Sequence, residues 1–283
     1  MSKIKIVTDS SVQLSEQEIK DLEITVVPLT ITIDGKSYVD GVELTRTEFV
    51  KMMHESAELP KTSQPAPGNF IEVFDRLSAD GSQVLGIFLS HNLSGTVDTA
   101  RQASAMCEHP ELIKVLDSQL TDRDQAFQVL AAARMAKEGK SMEEIEDKLA
   151  QIKSSQKLYM MVVTLDNLIK GGRLGKLTGK IANFLNVRLH LTMQEGHIEI
   201  VKKGRGKKFT KSFDDEVLAE IEANKGHIKE LGISYVDTPE VAEALKERIL
   251  AIDPQIDIYV AETSPVIMTH AGSGAYAILF YTE

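Results

Sequence analysis

The 283-residue chain predicts an α/β protein with an N-terminal domain over residues 1–160, built on a largely parallel sheet. A C-terminal domain over residues 161–283, with a mixed sheet, is expected to follow. Three observations carry this. Apolar strand-like runs alternate with helical patterns through the first half, the rhythm of a parallel sheet. Three of those helical patterns open on a capping box, serine or threonine followed three residues later by glutamate. Beyond residue 186, two β-rich runs flank Glu195-Gly196, which argues an antiparallel pair in the second half.

Taken in order, Ile4, Ile6 and Val7 form a strand running into Thr8-Asp9-Ser10-Ser11. Ser15 and Glu18 cap a short helix. Residues 24–33 are β-rich, and Asp34-Gly35 joins them to 36–39 as a two-residue hairpin. Thr45 and Glu48 cap the helix that carries FVKMMHES. Residues 60–69 read as a loop and 70–77 as a helix. Strand 84–89 leads through a polar cluster into helix 97–106. Strand 112–116, helix 122–137 and a helix from the Ser141/Glu144 box to about Lys153 follow. Strand 158–163 comes next, and residues 166–180 break the rhythm with four glycines. Strands 187–193 and 198–201, helix 213–223, strand 231–236, helix 239–251 and strand 256–260 complete the alternation. The segment PVIMTHAGSGAYAILFYTE reads as a loop and a last strand.

Composition narrows the function classes. The formal charge of −10 opposes nucleic-acid and anionic-membrane binding. A single cysteine, Cys107, excludes an internal disulfide and fits a reducing compartment. No signal peptide and no run of about 18 apolar residues is legible. A soluble, cytoplasmic protein is expected, with transient membrane contact left open. The histidines are scattered without metal-ligand spacing, so no metal site is expected.

Four polar turns at strand ends are the candidate chemistry: Thr8 to Ser11, Thr62-Ser63-Gln64, Ser94-Gly95-Thr96 and His270-Ala271-Gly272-Ser273-Gly274. Open α/β sheets bind ligands beyond the carboxyl ends of their strands. Hydroxyls at a helix start suit an anion. The same residues also have ordinary roles, Ser94 or Thr96 as an N-cap, Thr62 in a turn, His270 as a hydrogen-bonded loop residue. Ser94 with His270 could serve as nucleophile and base of an acyl hydrolase or transferase, but the GxSxG elbow is absent. The glycine run GGRLGKLTGK lacks the P-loop pattern. Residues 202–211 carry six basic side chains with only Phe209 beside them, which reads as a solvated surface. Arg173 and Lys176 lie in the glycine-loosened segment, where exposed heads would contact a protein or an anion.

Five segments, in order, resemble the DegV family of bacterial fatty-acid-binding proteins: TDSS at 8–11, KTSQPAPGNF at 61–70, SHNLSGTVDTA at 90–100, GGRLGK at 171–176 and HAGSGA at 270–275. The resemblance implies a two-domain DegV-like fold and a long-chain fatty acid as ligand, with no cofactor. It implies that Thr62, Ser94 and His270 hold the carboxylate, supported by Ser63, Gly95, Thr96 and Gly272. It further implies that Arg173 and Lys176 dock a separate ATP-binding kinase subunit related to dihydroxyacetone kinases. That subunit would phosphorylate the bound acid, and the acyl phosphate would be carried toward phospholipid synthesis. This chain alone would then have no catalytic residue. Two departures bear on chain-length and unsaturation preference: Ser273 stands where the family has proline, and Val187-Arg188-Leu189-His190 lacks the usual Lys-Pro.

Overall fold

The computed structural model describes residues 3–174 and 186–283. The first stretch runs β1 (Ile4–Asp9), α1 (Glu16–Asp21), β2 (Thr25–Val27), β3 (Thr30–Ile33), β4 (Lys36–Val39), α2 (Arg46–Glu55) and β5 (Lys61–Ser63). It continues through α3 (Pro67–Ser78), β6 (Gln83–Phe88), α4 (Thr96–Ser104), β7 (Ile113–Asp117), α5 (Asp122–Lys137) and α6 (Met142–Ser155). Next come β8 (Lys157–Val162), α7 (Asp166–Lys170), β9 (Val187–Gln194), β10 (His197–Arg205) and α8 (Gly206–Ala223). The last described elements are β11 (Ile228–Tyr235), α9 (Pro239–Ile252), β12 (Ile258–Glu262), α10 (Pro265–Ala271) and β13 (Tyr276–Thr282).

The described strands form three sheets. One is wholly parallel, in the order β2-β1-β6-β7. The second is mixed, in the order β10-β9-β8-β13-β11-β12, with β11 and β12 its parallel pair. The third, β4-β3-β5, is a small antiparallel sheet in which the β3–β4 hairpin at Asp34-Gly35 is the one expected from sequence, while its separation from the parallel sheet and the addition of β5 are not. It arises because the β-rich run 24–33 divides at Pro28. Proline lacks the N–H that a continuous ladder requires. So β2 stays in the parallel sheet while β3 leaves it, and the Leu29 N–H donates to Ser10 Oγ at 3.0 Å across the break.

Helix α5 lies between the two large sheets. Its first twelve residues are buried, and its core joins Ile6 and Leu85 of the parallel sheet to Leu279 and Tyr281 of the mixed sheet. A helix with apolar neighbours on both sides cannot keep a polar face at its start, and Asp122, Arg123 and Asp124 are buried there. Arg123 meets Glu18 at 2.8 Å and lies over the Tyr259 ring at 4.0 Å.

All three capping boxes form, at Ser15/Glu18, Thr45/Glu48 and Ser141/Glu144. Three readings change. The predicted loop 60–69 contains β5, which pairs with β3. Helix α8 begins at Gly206 and not at 213, so the basic run is the end of β10 and the first turns of a helix. His270 sits on a short helix, α10, and not in a loop.

Candidate functional site

Each polar group of the site is held by a different element. The β5–β3 ladder sets Thr62 opposite Ile31. Strand alternation then turns Thr62 inward between the exposed Lys61 and Ser63. Ser94 sits in the turn before α4. The Leu93 and Ser94 N–H groups donate to Ser90 O at 2.9 and 3.1 Å, which winds that turn. Buried Ser90 donates to Gly196 O at 2.7 Å, so the tip of the β9–β10 hairpin clips the turn in place. His270 lies near the end of α10, which closes at Gly272 in the left-handed region at φ 76°. The Gly272 N–H donates back to Met268 O at 2.9 Å.

Thr62 Oγ1 and His270 Nε2 are hydrogen-bonded at 2.9 Å, although 208 residues separate them. Ser94 Oγ bonds Thr96 Oγ1 at 2.9 Å. A Cβ on Gly171 would lie 2.4 Å from His270 Nδ1, so only glycine lets the end of α7 approach the ring. A Cβ on Gly95 would meet Gln64 Oε1 at 2.2 Å, which shows how tightly the 61–64 and 94–96 loops abut.

Thr62, Ser94, Arg173 and His270 line one pocket. Apart from Thr121, the rest of its wall is apolar, including Leu29, Leu89, Met160, Leu168 and Ile198. The wall draws on segments flanking or belonging to all three sheets. Sequence reasoning missed these apolar residues because nothing distinguishes a pocket-lining leucine from a core leucine in a pattern of alternation.

Burial, and then the nearby Arg173 charge, push His270 down to about 4. The imidazole is therefore neutral at pH 7 and supplies one N–H. Arg173 is half-buried and not the exposed head expected from its glycine-rich segment. It donates from Nε to Leu93 O at 3.3 Å and from Nη1 to Gly171 O at 2.7 Å. Burial lowers its pKa, yet a guanidinium remains charged. One cation, two hydroxyls and a neutral imidazole thus face an apolar cavity. That combination suits an anionic head with a long apolar tail.

It does not form a catalytic triad. Ser94 bonds Thr96 and not His270, and His270 Nδ1 has no hydrogen-bond partner among the described residues. A serine nucleophile needs a base within reach and a group orienting that base.

The other predicted residues fall around this centre. Ser63 is exposed, Thr96 is buried, and Lys176 lies outside the described residues. The Thr8 to Ser11 turn is structural. Asp9 is fully buried and accepts from Leu89 N at 2.8 Å and from Ser11 N at 2.9 Å, anchoring the end of β6. His190 is buried against Tyr159 and Phe213, with ring centroids 5.8 and 4.9 Å away, and does not line the pocket. In the basic run, Lys202 pairs with Glu216 and Lys211 with Asp215.

Comparison with known proteins bears on this geometry. A family model described as "Uncharacterised protein, DegV family" matches residues 3–283. A DegV domain-containing protein of Streptococcus pneumoniae is 42% identical over 279 residues, covering 99% of this chain and 98% of its own. A fatty-acid-binding DegV family protein from Thermus thermophilus superimposes with a TM-score of 0.89 at 31% identity, over 99% of this chain and 100% of the other. DegV from Bacillus subtilis, described as a fatty acid binding protein, gives 0.91 at 28% identity over 100% of both chains.

Proposed function

Because the chain belongs to the DegV family, we propose that it binds a long-chain fatty acid, with Thr62, Ser94 and His270 around the carboxylate. The observation that carries this is the largely apolar pocket with those three groups and Arg173 in its wall. A buried carboxylate needs donors to offset its desolvation, and each buried methylene contributes about 0.8 kcal/mol. Ser63, Gly95, Thr96 and Gly272 shape the loops that hold the trio. The two domains, 1–160 and 161–283, meet around this ligand.

The bound acid is then presented to a separate ATP-dependent kinase subunit. Its carboxylate takes up the phosphoryl group, and this chain carries the acyl phosphate toward phospholipid synthesis. The protein works in the cytoplasm and is not an enzyme by itself. Arg173 and Lys176 contact the kinase.

Denaturing extraction of freshly purified protein followed by mass spectrometry of the released small molecules tests the first claim. A stoichiometric long-chain acid is expected, and Ser94→Ala with His270→Ala is expected to lower its affinity at least about tenfold, the cost of lost buried donors. Unchanged affinity in that double variant overturns the site assignment. For the partner, Lys176→Glu is expected to reduce acyl-phosphate formation with the kinase far more than acid binding, whereas Arg173→Glu is expected to reduce both, because Arg173 also lines the pocket. Unchanged acyl-phosphate formation in Lys176→Glu would remove Lys176 from the docking surface.

A further inference from the structure

The wall that holds the polar trio has a second side. An open hollow of about 430 Å³ on the surface is lined by Thr62, His270 and Arg173, which also line the pocket described above. It is also lined by Lys61, Lys170 and Glu58. Three cations thus face one carboxylate across it. Lys61 and Lys170 are exposed and have no ion-pair partner among the described residues. Neither lysine lines the interior pocket.

A carboxylate held in this shared wall has its tail on the pocket side and its oxygens toward the hollow. On the reading of the chain as a carrier for a kinase, a carboxylate oxygen forms a bond to the terminal phosphorus of the partner's nucleoside triphosphate. The bond from that phosphorus to the bridging oxygen breaks, and its electron pair leaves with the nucleoside diphosphate. No proton need move. The head of the ligand gains a tetrahedral phosphoryl group and a further negative charge, and both must be accommodated on the side away from the tail.

We propose that this hollow is the seat of the acyl-phosphate phosphoryl group, with Lys61 and Lys170 as its charge partners. This rests on the carrier reading above and adds to it a subsite for the product. Lysine suits such a seat, because a mobile point charge on a long stem follows a phosphoryl group from several directions. Glu58 opposes the anion and limits how tightly the product is held.

The test compares two ligands on lipid-stripped protein by titration calorimetry. One is palmitate. The other is 2-oxoheptadecylphosphonate, a stable analogue in which CH2 replaces the bridging oxygen of the acyl phosphate. The Lys61→Gln/Lys170→Gln variant is expected to weaken the phosphonate about tenfold, with a shallower salt dependence, and to leave palmitate within about twofold. An unaffected phosphonate, or equal weakening of both ligands, overturns the proposal. Wild-type protein that binds palmitate but not the phosphonate overturns it while leaving the fatty-acid reading standing. Protein that binds neither overturns both.

Discussion

At the scale of single residues, His270 and Asp40 oppose each other as pH changes. His270 holds its proton only below about 4 in the folded protein, against about 6.5 when unfolded. Between those values the unfolded chain takes up a proton that the folded one refuses. Its contribution is therefore present above pH 6.5 and lost as pH falls toward 4, by up to about 3 kcal/mol. Asp40 is buried, with Oδ1 unpartnered among the described residues and Oδ2 accepting from Ser10 Oγ at 2.6 Å. Burial pushes it up to about 6. Its contribution is full below its unfolded value of about 4 and is lost as pH rises through 6. Urea unfolding of lipid-free protein separates the two. His270→Leu should flatten the fall in stability between pH 6.5 and 4. Asp40→Asn should raise stability by up to about 2 kcal/mol at pH 7.5 and not at pH 4. A gain at pH 4 as large as at 7.5 would show that Asp40 is not carrying a proton into the fold.

Among elements, the helix starts are the most legible part of the chain, because a capping box is a local contract between two side chains and two N–H groups. Ser141 needs nothing but Glu144 to form its box. Ser141→Ala should cost about 1 kcal/mol in chemical denaturation, and a change of a few tenths or less would mean the helix start is held by packing alone. Helix α5 is legible at the bounds it adopts, 122–137. The elements that escape are those decided by distant partners. β5 has three residues and exists because β3 offers an edge. α10 has seven, too few for a hydrophobic period to speak. The split of 24–33 between two sheets turns on one proline, visible in sequence, but its destination depends on where Ser10 and β1 already stand.

For the whole molecule, the site is legible as a set of residue types but not as a place. Thr62, Ser94 and His270 can be singled out as polar groups in turns, and likeness to a family joins them. The apolar wall cannot be picked out, since Met160 and Ile198 read as ordinary strand residues. Arg173 is expected from sequence to face outward, and only the close approach of α7 to His270 turns it into the wall. Polar contacts between the regions of the two large sheets accompany this closure, among them Thr263 Oγ1 to Asp122 Oδ1 at 2.9 Å and Gln13 Nε2 to Ala261 O at 3.0 Å. A ligand lodged there should stabilise the entire fold by mass action, about 2.7 kcal/mol at a hundredfold excess over Kd. For a chain this size that is a rise in Tm of roughly 5 °C or more between stripped and loaded protein. Coincident melting curves would mean that the ligand binds folded and unfolded chains alike.

The position of β13 has a consequence for synthesis. It lies in the middle of its sheet, between β8 and β11, yet it is the last described strand to leave the ribosome. Until residue 282 has been made, β8 and β11 have no neighbour to join them, and His270 has no settled ring to offer Thr62. A chain that stops short of β13 therefore lacks the assembled pocket, however well its first sheet has formed. On the fatty-acid-binding reading, loading can only follow synthesis of β13, so lipid content doubles as a check that translation reached that strand.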